Sequence, residues 1–307
     1  MRERPRGLLV PITTPFDEAT GEVAPVVLRN NARALLDMGV DGILAIGSTG
    51  ESALLSDDEY HSVIGWLRDV VPEDKWLLVG AGKESTRATL KACRVAAEEG
   101  GDAVLVRPPA YFGSSLSAQA LIDHFRRVAD ESPIPVLIYN IPKYTHTPLS
   151  DQVIGALADH PNIVGAKDSS GDLRNFAGYR DAAPDWNLFV GSGSLFYAAL
   201  ETGAVGGILA AACFAAPLAL KIRDAFERKD RATAGATQEV LTPLNKEMVG
   251  NLGVPGVKAA MDAVGLVGGV VRAPLQDLPA KDRARVADML RDAGVPMTTG
   301  AALAATR

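Results

Sequence analysis

At 307 residues the chain exceeds one average domain yet suits a single large α/β unit, and its 47 % of apolar residues suffice for a sizeable core. Charged residues make up 22 % and are mixed in sign, which argues against disorder. A formal net charge of −6 without a basic stripe argues against a nucleic-acid partner.

Basic residues open the chain, but the apolar run from Leu8 is broken by Pro11, too early for a secretory signal. Short strand-like runs then recur, each followed by turn residues and an amphipathic stretch. In order they are "LLVPITT" from Leu8, "GILAIG" from Gly42, "WLLVGAG" from Trp76 and "DAVLVRP" from Asp102. Four more are "IPVLIYN" from Ile134, "NIVGAK" from Asn162, "NLFVGSG" from Asn187 and "VGGILAA" from Val205. Between them, stretches such as "APVVLRNNARALLDMG" and "STRATLKACRVAAEEG" show helical spacing and close on glycine. Ser56, with Glu59 three residues on, reads as a capping box, and Ser85 and Ser117 stand at equivalent places. Cys93 and Cys213 lie far apart among apolar neighbours with no CxxC, so both read as small buried hydrophobes. No segment reaches ~18 uninterrupted apolar residues, and "GAVGGILAAACFAAPLAL" is split by Pro217. A cytoplasmic protein without membrane attachment is expected.

Eight strands alternating with helices, each reading as continuously apolar, imply a parallel sheet. Eight is the count that closes into a (β/α)₈ TIM barrel. An open doubly wound sheet is the poorer alternative, because no GxGxxG follows the first strand. After Arg228 only helical patterns remain. The chain therefore divides into a barrel over residues 1–228 and a helical C-terminal extension over 229–307, packed on the barrel. The small-residue tail "VPMTTGAALAATR" is expected to fray.

Barrels of this kind place their reactive groups at the C-terminal ends of the strands. That mouth gathers Ser48, Thr49, Tyr111, Tyr139, Tyr144 and Lys167. The four histidines, His61, His124, His146 and His160, have no metal-ligand spacing, so a metal hydrolase is disfavoured and no cofactor is expected. An amine here can attack a ketone and form a Schiff base. Its free pKa of about 10.4 must fall towards neutrality, a change of roughly 4 kcal/mol that burial of the ammonium can supply. A tyrosine within reach can shuttle protons, and the backbone N–H groups and hydroxyls of "GSTGES" can hold a carboxylate. Each signal has a plain alternative. Lys167 could be a solvated strand end with Lys83 as its rival, although Lys83 reads as an exposed loop residue. Tyr139 could be a core tyrosine with a satisfied hydroxyl, and "GSTGES" only a tight turn.

Taken together, "PITTPF", "GSTGES", "YNIP" and "GAKDSSGD" resemble the dihydrodipicolinate synthase/N-acetylneuraminate lyase family of pyruvate-dependent class I lyases. The resemblance runs nearly the full length, as far as "GVPGVKAAMDAVGLVGGVVRAPL", and the 28 residues from Tyr139 to Lys167 agree with the family's spacing. It implies that Lys167 forms the imine and that Tyr139 is the central acid/base. Tyr139 would be linked through Ser48 to Tyr111, and Tyr111 would serve the site of a neighbouring subunit. It further implies that Thr49 binds the carboxylate and that Gly191 and Ile208 line the imine pocket by backbone contact. The same resemblance implies a homodimer or homotetramer acting on a small 2-oxo acid.

Two departures stand out. The loop "RPPAYFGS" differs from the family's commoner "TPYY" form around Tyr111. Tyr144 stands where the synthases carry an arginine for the second substrate's carboxylate, and the neighbouring Lys143 is expected to point away from the pocket. "ESTRATLKACRVA", "SPIPVLIYNIP" and "RAPLQDL" look closest to the 4-hydroxy-2-oxoglutarate aldolase branch, with 2-keto-3-deoxy sugar-acid aldolases next. The expected activity is C–C bond cleavage or formation next to pyruvate. Alternatives are 4-hydroxy-tetrahydrodipicolinate synthase and a keto-deoxy sugar-acid dehydratase. A non-catalytic barrel binding a small carboxylate is disfavoured by the joint presence of Lys167, Tyr139, Ser48 and Tyr111. A phosphate-binding barrel isomerase lacks its catalytic Glu/His pair.

Overall fold

The computed structural model describes residues 4–297. The part of the tail beyond residue 297, where fraying is expected, lies outside the described residues. Eight parallel strands form a closed barrel: β1 (Gly7–Pro11), β2 (Gly42–Ala45), β3 (Trp76–Gly80), β4 (Ala103–Val106), β5 (Val136–Asn140), β6 (Ile163–Asp168), β7 (Asn187–Val190) and β8 (Gly206–Ile208). Closure comes from β8 pairing with β1, Leu9 standing opposite Ile208. All eight expected runs are strands.

Strands buried on both faces lose the alternation of polar and apolar residues, which is why "GILA" and "AVLV" read as solid apolar runs. Their side chains still alternate in direction and build two shells. Leu9, Leu44, Leu78, Leu105, Leu137 and Phe189 fill the barrel interior. Leu8, Val10, Ile43, Leu77 and Val104 face outward against the helices. The helix Asp57–Arg68 opens on the expected capping box: Ser56 Oγ accepts from Glu59 N (3.2 Å), and Ser56 N donates to Glu59 Oε2 (2.8 Å). Ser85 and Ser117 cap the helices Thr86–Glu98 and Ala118–Glu131, each worth about 1 kcal/mol. Cys93 and Cys213 are both buried free thiols.

The last outer helix of the barrel, Ala212–Glu227, is followed by the helices Arg231–Leu244, Gly253–Ala263 and Ala280–Asp292. A seven-residue π-helical turn, Asn245–Asn251, joins the first two of these three. Beyond Arg228 the strand-like pairing among the described residues is one isolated bridge, Val270 to Phe16.

One irregularity bears on the site. Between β5 and β6 the register shifts: Val136 pairs with Ile163, but Leu137 pairs with Gly165. The extra residue changes the phase of β6. Val164 lies in the interior shell and Ala166 in the outer one, so Lys167 returns to the interior. Strict alternation from Val164 would have turned Lys167 out and Asp168 in.

Candidate active site

A cavity of about 180 Å³ opens at the C-terminal end of the barrel. Lys167 and Tyr139 stand side by side in it as a register pair of β6 and β5. The Lys167 ammonium lies 4.5 Å from the centre of the Tyr139 ring, on its face. Lys167 is only 4 % exposed and forms no ion pair among the described residues. Burial pulls its pKa down from 10.5 to about 7, so a large fraction of the amine is neutral and nucleophilic at physiological pH. The Tyr139 hydroxyl goes the other way. Burial pushes it up to about 12, opposed by hydrogen bonds with the Ser169 and Ser48 side chains, and it rests as a phenol able to donate a proton.

Behind Lys167 the strand turns polar. Asp168 faces the helix side of β6, where Asn140 Nδ2 (2.8 Å), Ser170 Oγ (2.7 Å) and Asn175 Nδ2 (3.1 Å) donate to its carboxylate. This network ties the ends of β5 and β6 together and fixes the backbone from which Lys167 projects.

Ser48 and Thr49 line the same cavity. Their loop is a locked turn: Gly50 N donates to Gly47 O, Glu51 N to Ser48 O, and Thr14 Oγ1 to Gly50 O (2.7 Å). Ile46 and Glu51 both adopt positive φ, 54° and 56°, a conformation that costs a non-glycine residue and is held here by its surroundings. A Cβ on Gly80 would come within 2.1 Å of the Ile46 carbonyl oxygen, so glycine is needed there. Below the turn, Glu51 pairs with the buried Lys258 at 2.6 Å, and its other oxygen accepts from Arg272 N.

Gly191 and Ile208 also line the cavity. Gly191 N donates to Asp168 O (2.7 Å), and a Cβ here would meet Ser169 Oγ at 1.8 Å and Lys167 Cε at 3.0 Å. The glycine makes room for the lysine. Tyr144, half-exposed, stands at the rim.

Seven of the eight sequence-derived site residues thus converge on one cavity. The eighth, Tyr111, does not. It is 82 % exposed, packs edge-on against Phe112, and its backbone N–H donates to Glu84. Two expectations about lysines need correction. Lys143 does not point away: it lines the rim, and its Nζ donates to Gly250 O across the mouth at 2.7 Å. Lys83 is not an exposed loop residue but half-buried over the Tyr60 ring at 4.8 Å. Sequence reading misses Ser169, although it lies within "AKDSSGD". It also misses the wall formed by Asn245, Val249, Gly250 and Val257, residues of the C-terminal helices with no local signal of a role at the barrel mouth. Among the described residues no group of three or more His, Cys, Asp or Glu side chains could hold a metal ion, and no helix is long and apolar enough to cross a membrane.

Comparison with known proteins points the same way. Residues 4–293 match the model of the dihydrodipicolinate synthetase family. A DapA-like lyase of Halobacterium salinarum is 33 % identical over 289 residues, 94 % of either chain. A 4-hydroxy-tetrahydrodipicolinate synthase of a Synechococcus strain is 35 % identical, covering 87 % of this chain and 88 % of its own. Among solved structures, the Escherichia coli prophage protein YagE, in complex with pyruvate, superposes with a TM-score of 0.89 at 25 % identity. That match covers 94 % of this chain and 99 % of YagE.

Proposed function

The chain belongs to the dihydrodipicolinate synthetase family of lyases and synthases, and from that premise we propose that it is a Schiff-base aldolase. It would cleave, or in reverse form, a C–C bond next to pyruvate in a small 2-oxo acid of the 4-hydroxy-2-oxoglutarate or 2-keto-3-deoxy sugar-acid type. The observation that carries this reading is the pairing of a buried, unpartnered lysine with a buried tyrosine on adjacent barrel strands. The complex of the similar YagE with pyruvate supports the same substrate end.

In this mechanism the neutral Lys167 amine attacks the C2 carbonyl carbon of the substrate, whose carboxylate rests on Ser48 and Thr49. Tyr139, a phenol at rest, donates its proton to the carbinolamine hydroxyl, which leaves as water and yields the imine. The C3–C4 bond then breaks as the C4 hydroxyl gives its proton to the Tyr139 phenolate, which becomes a phenol again. The electron pair moves into the imine to give an enamine, and an aldehyde departs. Protonation of the enamine at C3 and hydrolysis release pyruvate and restore Lys167. Tyr111, exposed in the single chain, would complete the relay from Ser48 in a neighbouring subunit of a dimer or tetramer. A fully active monomer by light scattering would contradict that role.

Borohydride reduction in the presence of pyruvate should place one reduced adduct on the peptide containing Lys167. Label on Lys83, or none, would sink the reading. A second reading, 4-hydroxy-tetrahydrodipicolinate synthase, is favoured by the names of several relatives. It is opposed by Tyr144, whose single neutral hydrogen bond, about 1 kcal/mol, stands where a charge-assisted pair would give about 1.5–3. Side-by-side kcat/KM values for aspartate semialdehyde condensation and for retro-aldol substrates, on wild type and Tyr144→Arg, separate the two. Equal efficiency on both in wild type would remove Tyr144 as a discriminator.

A further inference from the structure

The ionic balance of the cavity bears on substrate class, on the premise of the imine chemistry proposed above. Among the described residues lining it, two have basic side chains, and both are lysines: Lys167 within the barrel and Lys143 at the rim. No carboxylate side chain is among them. Asp168, beside Lys167 in sequence, has its oxygens engaged on the opposite face of β6. A cavity lined by two amines and no acid favours an anionic ligand.

The polar side chains of the outer wall are largely committed elsewhere. Asn245 Oδ1 accepts from Gly193 N, and its Nδ2 donates to Ser194 Oγ (2.8 Å). Lys143 is placed differently. An ammonium has three N–H donors, and the Gly250 carbonyl takes one of them. The residue is exposed, so its other donors face solvent or a ligand. Its backbone is held in register with the catalytic strand: Tyr144 N and Thr145 N both donate to Ile141 O, and Thr145 Oγ1 donates to the same oxygen at 3.0 Å. Lys143 is therefore tied to Tyr139 through a short stretch of fixed geometry. The Gly250 contact holds its Nζ over the mouth.

We infer that Lys143 is a specificity-determining residue that pairs with a second carboxylate at the far end of the substrate. The substrate class is then a short 2-oxo dicarboxylic acid, not the neutral polyol end of a 2-keto-3-deoxy sugar acid. The amine of Lys167 takes the keto carbon, the Ser48–Thr49 turn takes the near carboxylate, and Lys143 takes the distal one. At a half-enclosed mouth such a pair is screened less than on an open surface.

Imine trapping tests this without relying on turnover. The probes are 2-oxoglutarate and 2-oxopentanoate, five-carbon chains that differ only in a terminal carboxylate against a methyl group, with pyruvate as reference. In wild type, 2-oxoglutarate should be trapped by borohydride at Lys167 at roughly tenfold lower half-saturating concentration than 2-oxopentanoate, the preference expected of a charge-assisted contact. Lys143→Met should shrink that ratio towards one, Lys143→Arg should keep most of it, and added salt should weaken it in wild type. A ratio that survives in Lys143→Met overturns the inference. So does an equal loss for all three acids, which would mean that Lys143 only braces the mouth through Gly250. Absence of a pyruvate adduct in wild type would instead bring down the imine reading, and this inference with it.

Discussion

Lys167 and Lys258 are buried to a similar degree, 4 % and 1 % exposed, yet their surroundings differ in kind. Lys258 donates to Val270 O at 2.6 Å, pairs with Glu51 at 2.6 Å, and lies over the Phe16 ring. Burial lowers its pKa, and the Glu51 carboxylate opposes that shift and gives the ammonium a partner. Lys167 faces the ring of Tyr139 and lies near the thiol of Cys213, itself kept protonated by burial with a pKa of about 12. Among the described residues no carboxylate offsets its desolvation. Burial alone therefore does not make a lysine reactive. The same loss of water leaves a structural cation where a carboxylate and a carbonyl meet it, and an amine with its pKa drawn towards neutrality where they do not.

The most severe test of this contrast removes each lysine in turn. Lys167→Ala should fold and lose turnover down to background, since among the described residues Lys167 is the lysine that pairs with Tyr139 on an adjacent barrel strand; appreciable residual activity in a pyruvate-release assay would place the chemistry elsewhere. Tyr139→Phe comes next. It keeps the ring beside Lys167 and removes the proton donor, so kcat should fall by about 10²–10⁴-fold. Lys258→Met should act on stability instead. It leaves Glu51 charged, buried and without its cation, at a cost of about 3–5 kcal/mol measured by urea unfolding. The double variant Lys258→Met/Glu51→Gln should recover part of that loss. If Lys258→Met were as stable as wild type, the Glu51 pair would not be what distinguishes this lysine.

The smallest effect is the dependence on pH. Below about 7 the rate of imine formation should fall roughly tenfold per pH unit as Lys167 is protonated, and above it the rate should level off. Stability carries the matching sign. The unfolded lysine keeps its proton up to 10.5, while the folded one releases it near 7. Between those values the unfolded state holds more protons, and stability rises with pH. The cost of burying the charged amine is full below 7 and is relieved as pH climbs towards 10.5. Lys167→Met should flatten this slope, and an unchanged slope would assign it to another group.

The sequence is most informative where local chemistry decides the outcome. Eight apolar runs bounded by glycine, asparagine or proline form eight strands, and Ser56, Ser85 and Ser117 cap helices because a hydroxyl at that position answers an otherwise unpaired N–H. Ser48, Thr49, Tyr139 and Lys167 can be placed at the mouth because strand ends can be counted. Contacts across long stretches of chain stay hidden. Lys143 turns inward because Gly250, 107 residues away, offers it a carbonyl, and nothing near Lys143 signals that. The wall of Val249 and Val257 depends likewise on how the C-terminal helices dock over the barrel. Lys83 escapes a local reading for the same reason, since its partner ring, Tyr60, belongs to the helix Asp57–Arg68.

The shifted register between β5 and β6 makes the identity of the reactive group a matter of parity. Consecutive residues of a strand are odd and even positions of a two-state counter, and the unpaired residue opposite the Val136–Leu137 step advances that counter by one. A strand of the same length with the irregularity ironed out would read the other way. Ala166 would then stand beside Tyr139, Asp168 would face the cavity beyond it, and Lys167 would turn to the helix side, where Asn140 and Asn175 lie. Deleting one residue between Val164 and Lys167 would remove the irregularity and still leave the lysine inside, because the two changes cancel. Whether this barrel presents an amine or an acid at its mouth is thus set jointly by the number of residues in β6 and by whether one of them stays unpaired against β5.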